Sequence, residues 1–121
     1  MSKRTLILGA SPNPERYAYK ATTMLSEHNH EVFPVGLRAG TIGKHQILTN
    51  TPAIDNIDTV TLYVGPKNQP VYYDYILDII KPKRIIFNPG TENQELENLA
   101  NKKGIQTEEA CTLVLLSIGN Y

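Results

Sequence analysis

Residues 5–22, TLILGASPNPERYAYKAT, constrain this chain more than any other stretch. Thr5, Leu6, Ile7 and Leu8 form a short β-favouring apolar run of the kind buried on both faces of a parallel sheet. Gly9, Ala10 and Ser11 then permit a sharp turn and close approach of a ligand to the backbone. Pro12 and Pro14 delay a helix, which the spacing of Tyr17, Ala21, Met24 and Leu25 predicts from Glu15 onward.

Strand, small-residue turn and helix in that order gather backbone N–H groups beside the positive end of a helix dipole, which suits a phosphate or diphosphate. Arg16 and Lys20 lie four apart on one helix face and add cations there. GASPNPER lacks the second and third glycines of the dinucleotide fingerprint. A tight turn that binds nothing therefore stands beside the phosphate reading.

The 121 residues make one domain, long enough to bury a core without staples. With 12 basic and 12 acidic residues the formal net charge is zero, which excludes a global pull toward nucleic acid or an anionic membrane. Any polyanion must be met by a local site. The one cysteine, Cys111, closes no internal disulfide. The basic then apolar start is too short for a secretion signal, and no apolar run is long enough to span a membrane, so a cytoplasmic protein is expected.

Residues 31–35 read as a second strand, parallel to the first across the helix. Pro34 inside it implies a bend or a free side. Residues 36–43 hold three glycines and read as a loop. No acidic residue stands at this strand end to read a ribose 2′-hydroxyl, which counts against NAD, and Arg38 is the residue there best suited to a phosphate. Residues 58–64 predict a third strand, residues 68–80 a helix capped by Asn68, and residues 84–88 a fourth strand. Pro89, Gly90 and Thr91 form another small turn, with Thr91 a candidate cap for a helix over residues 92–103. Residues 105–108 read as a fifth strand, and residues 111–118 as a last strand or a short helix. Small turns after successive strands all fall on one edge of a parallel sheet, so the expected fold is α/β, a single Rossmann-like doubly wound domain with a five-stranded parallel sheet.

With these residues located, the chain resembles the small CoA-binding proteins, whose domain also occurs in the alpha subunit of succinyl-CoA synthetase. The resemblance runs over nearly the whole chain through LILGASPNPERYAYKA, HEVFPV with Arg38 and Gly40, Gly65-Pro66, NPGTEN and EACTLVLL. It implies coenzyme A held across the strand ends. Gly9, Ala10 and Ser11 would face the diphosphate, with Arg16, Tyr17 and Lys20 at the phosphates. Val35, Leu37 and Arg38 would flank the adenosine and its 3′-phosphate, Gly65 and Pro66 the other side of the cleft, and Gly90 and Thr91 the pantetheine path. Where the family usually reads Val-Asn-Pro and then a cation, this chain reads Val35-Gly36-Leu37-Arg38. A frequent family arginine is replaced by Val64.

The phosphorylated histidine of the synthetases belongs to a following domain, so the resemblance implies a CoA or acyl-CoA binding module without chemistry of its own. Any catalysis then needs a protein partner. Two other classes remain open: an oxidoreductase or transferase using NAD(P), with Arg38 on a 2′-phosphate, or a degenerate Rossmann-like interaction subunit. His28, His30 and His45 lack further ligands at metal spacing and are expected in structural or exposed roles. Cys111 is expected to pack in the core, Ser11 to offer a phosphate-facing hydroxyl, and Tyr72 and Tyr75 to share a helix face for packing or a homodimer contact.

Overall fold

The computed structural model of the chain describes residues 2–121. Five parallel strands form the central sheet: β1 Thr5–Leu8, β2 Val32–Val35, β5 Thr59–Leu62, β6 Arg84–Phe87 and β7 Gln106–Glu109, in the order β2-β1-β5-β6-β7. The remaining strands, β3 Thr41–Ile42 and β4 His45–Gln46, pair as a small antiparallel hairpin. The chain runs outward from β1 to β2, then crosses back to β5 on the other side of β1. This reversal places a topological switch point between β1 and β5, where open α/β sheets leave a crevice.

Alternation along the strands divides the core between the two faces. Leu6, Leu8, Val60, Leu62, Ile85 and Phe87 face one layer, with Ile76, Ile80, Leu96 and Ala100 packed on them. Ile7 faces the other, under Ala18 and Leu25 of α1 Tyr17–Glu27 and Leu116 of α3 Thr112–Ser117. Helix α2, Gln94–Lys102, lies on the first face, so the sheet is covered on both sides as an all-parallel sheet requires. No helix among the described residues is long and apolar enough to cross a membrane.

Strand β2 is an edge strand, and this resolves the conflict at Pro34. The Pro34 carbonyl points outward and accepts from Leu48 N at 2.8 Å, so its nitrogen also points away from β1 and no ladder donor is lost. Leu48 forms a parallel bridge to Val35 and covers part of this edge.

Several boundaries differ from the sequence reading, each for a local reason. The helix expected over residues 68–80 is instead two 3-10 turns, Pro66–Asn68 and Pro70–Tyr72, followed by a π-helical turn, Tyr75–Ile80. Pro70 has no N–H to continue a ladder, and Asn68 makes no side-chain cap. The π turn ends at Lys81, left-handed at φ 50°, because a residue before proline is kept out of the helical region. The glycine-rich loop after β2 contains the β3–β4 hairpin, closed at Gly43 and anchored by buried Ile42.

Asn93, not Thr91, caps α2: its Oδ1 accepts from the amides of Glu95 and Leu96, whereas the Thr91 hydroxyl already donates to Asn88 O. Residues 112–117 are helical, with Cys111 half-buried at the cap instead of in the core. Tyr72 and Tyr75, expected on one helix face, lie on the second 3-10 turn and the π turn, and both pack against the first core layer, as does Tyr73. Tyr75 is buried with its hydroxyl on Pro52 O, Tyr73 donates to Glu95, and Tyr72 stays half-exposed.

His30 accepts from Lys3 N and meets the Tyr121 ring edge-on, and burial, ahead of Lys3, lowers its pKa. His28 bonds Met24 O, and His45 bonds Ser26 Oγ. No group of three or more His, Cys, Asp or Glu side chains suited to a metal occurs among the described residues.

Candidate functional site

The carboxyl ends of β2, β1, β5 and β6 open into one cleft of about 850 Å³. Two glycines let its floor close. Gly9 has φ 96°, and a Cβ there would lie 2.8 Å from Tyr63 O. A Cβ on Gly36 would lie 2.2 Å from Ala10 O. Only residues without a side chain let the turns after β1, β2 and β5 come this near one another.

The same closeness changes the donor set. Gly9 N and Ala10 N both donate to Val35 O at 2.9 Å, so neither amide is free for a ligand. They tie the first two strand ends together and shape the floor. The free donors lie one step further along. Ser11 N and the first-turn amides of Tyr17, Ala18 and Tyr19 have no protein acceptor among the described residues, and Arg16 as N-cap supplies no side-chain cap.

The Ser11 hydroxyl accepts from Asn13 N and keeps its own proton to donate. Asn13 Oδ1 accepts from Glu15 N, which holds residues 13–16 as a turn and starts the helix at Tyr17 instead of Glu15.

The two longer helices are finished in opposite ways. Helix α2 has a side-chain cap and Glu95 and Glu97 in its first turn, the arrangement the dipole favours. Helix α1 has no cap, no acid in its first turn, and the cation Arg16 at its positive end. An anion at that end would complement both the dipole and Arg16.

The walls agree in charge. Arg16, Arg38 and Lys67 line the cleft with no carboxylate, in a chain whose charges balance as a whole, and none of the three is in an ion pair among the described residues. A smaller hollow of about 420 Å³ at the opposite strand ends is lined by Asp55, Asp58, Lys81 and Lys83, a mixture that favours neither sign.

Of the residues singled out from sequence, Gly9, Ala10, Ser11, Arg16, Tyr17, Leu37, Arg38, Gly65, Gly90 and Thr91 line the cleft. Val35 does not. It is 1% exposed and serves through its carbonyl. Pro66 lies outside the lining, and Lys20 stands back from it with Nζ 5.4 Å from the Tyr17 ring centre. Sequence reasoning missed Gly36, Tyr63, Lys67, Val71 and Tyr72 among the lining residues. The rule that ligands sit beyond strand carboxyl ends points to Lys67, three residues past Val64, once the helix expected over that segment is set aside.

A buried polar frame holds the far wall. Asn88, 1% exposed, donates to Thr61 Oγ1 at 2.7 Å and Leu62 O at 2.9 Å, and accepts from Thr112 N at 2.9 Å. Gln69, fully buried, donates to Val64 O at 2.8 Å and Thr91 O at 2.7 Å, and accepts from Asn93 Nδ2 at 2.8 Å. These two side chains lock the turns after β5 and β6 together. The Tyr63 hydroxyl is buried without a hydrogen bond of good geometry. Burial drives its pKa up to about 12, against the opposing pull of the nearby Thr112 and Thr61 hydroxyls.

Similarity to known proteins identifies the family and the fold. No curated protein matches the sequence significantly. A crystal structure of an uncharacterized protein is 50% identical, covers 100% of this chain and 99% of its own, and superposes with a TM-score of 0.97. A hypothetical protein from Pyrococcus horikoshii OT3 is 29% identical over 93% of this chain and 80% of its own, with a TM-score of 0.80. PH1109 protein redesigned for binding shares the fold at 23% identity, over 99% of this chain and 86% of its own, with a TM-score of 0.85. Residues 3–117 match the family model described as a CoA binding domain, and the chain belongs to that family.

Proposed function

We propose that the chain binds coenzyme A or an acyl-CoA in the cleft at the β1–β5 switch point and performs no chemistry on it alone. The observation that carries this reading is the N-terminus of α1: uncapped, without an acid, bearing Arg16, and opening into a cleft walled by cations. Coenzyme A offers a diphosphate for that helix end and Ser11, and a 3′-phosphate for a second cation. Arg38, on the turn after β2, takes the 3′-phosphate, with Leu37 beside the adenosine. The neutral pantetheine arm runs past Gly65 toward Pro89, Gly90 and Thr91, a stretch of the lining without a charged side chain. A cytoplasmic setting suits this cargo.

The test is calorimetric titration with coenzyme A, dephospho-CoA, NAD and NADP. Coenzyme A is expected to bind tightest. Arg38→Ala is expected to weaken coenzyme A about tenfold, the scale of one charge-assisted hydrogen bond, and to leave dephospho-CoA nearly unchanged. Equal losses for both ligands overturn the Arg38 assignment. NADP binding without coenzyme A binding favours the dinucleotide reading, in which Arg38 meets a 2′-phosphate.

A further inference from the structure

Lys67 is the one cleft cation that lies on the β5 side of the crevice, and its surroundings fix where it stands. It occupies the middle of the 3-10 turn Pro66–Asn68, closed by Asn68 N on Gly65 O at 3.0 Å. Pro66 and Pro70 each hold φ near −65° on either side. Between them Gln69 is fully buried, with both its amide protons and its oxygen in hydrogen bonds that reach Val64, Thr91 and Asn93. An exposed lysine on an ordinary loop samples many positions, but this backbone is pinned. The side chain is exposed and has no acidic partner among the described residues.

Strand order then assigns its neighbour. β5 lies directly beside β1, so the turn carrying Lys67 faces the turn carrying Ser11 and Arg16 across the switch point, while Arg38 stands beyond β1 on the outer strand. Resting on the coenzyme A reading above, we propose that Lys67 grips the diphosphate from the β5 side, opposite the α1 N-terminus. Lys67 and Arg38 thereby serve different phosphates. The diphosphate is held between two banks of the cleft, and the 3′-phosphate by one.

Titrating Lys67→Ala and Lys67→Arg with coenzyme A and dephospho-CoA separates the roles. Lys67→Ala is expected to weaken both ligands by the same factor, about fivefold for a partly solvated charge pair, and Lys67→Arg to stay within about twofold of the parent. The unliganded melting midpoint should not move, because the side chain supports no internal contact. A loss confined to coenzyme A would move Lys67 to the 3′-phosphate and overturn the proposal, as would affinities unchanged for both ligands. If the parent protein binds neither ligand, the coenzyme A reading itself falls and takes this one with it.

Discussion

Asn88 offers the sharpest test of how the fold builds its cleft. Its side chain is 1% exposed and joins β5, β6 and α3 through three hydrogen bonds. Asn88→Ala would leave Thr112 N without its acceptor and remove a donor from both Thr61 Oγ1 and Leu62 O. One buried orphaned amide costs about 1–3 kcal/mol, and the vacated volume adds about 1 kcal/mol, so a loss of about 3 kcal/mol is expected. Against a total stability on the order of 5–15 kcal/mol, the variant still folds, with its melting midpoint lowered by about 10 °C.

Asn88→Asp keeps the shape and the acceptor for Thr112 N but sets a carboxylate oxygen against Leu62 O. Burial and that carbonyl would hold the new carboxyl above its ordinary pKa of about 3.9. A group whose folded pKa is raised binds more protons in the folded state. The variant is therefore most stable relative to the parent below about pH 4, and its deficit grows as pH rises toward the folded pKa, by up to about 1.4 kcal/mol per pH unit. Urea unfolding of parent and both variants, followed by circular dichroism at about pH 5 and about pH 7.5, measures this directly. A loss below about 1 kcal/mol for Asn88→Ala, or an Asn88→Asp deficit that does not deepen with pH, would refute the reasoning.

Gly36→Ala is expected to lose about 2–3 kcal/mol and most of the affinity for coenzyme A, since its Cβ would stand 2.2 Å from a backbone oxygen that no rotamer change can move; an unchanged urea midpoint would contradict it. Tyr63 and Tyr75 are pushed by burial to about 12, above the ordinary 10, so their contribution is fully present below about pH 10 and is lost as pH climbs toward 12. At about pH 11 the folded protein should show fewer than its seven tyrosines as phenolate, the remainder appearing together with unfolding; all seven titrating near pH 10 with the circular dichroism intact would exclude this.

What could be read along the chain was whatever depends on neighbours in sequence. The apolar run at Leu6, Ile7 and Leu8 specifies a doubly covered strand because both side-chain directions are apolar, and the same logic locates β5 and β6. Pro34 announces an edge position through its missing donor. Segments with competing local signals were less legible. Pro70 looks like a helix start, but the buried Gln69 ties residues 66–72 to the next strand's turn and leaves 3-10 and π turns instead.

The cleft followed the same division. Sequence alone determined that small-residue turns fall on one sheet edge and that cations, Arg16 and Arg38 among them, stand near them. Tertiary structure decided which donors remain free. Strand pairing brings Val35 O onto Gly9 N and Ala10 N, an encounter across 25 residues or more that no local pattern records. It also brought Lys67 into the same cleft as Arg16, because the chain reverses between β1 and β5 and places distant turns side by side. A hydrogen bond is made once, and its geometry selects which of several chemically equivalent amides it consumes. That selection exists only after the strands have met.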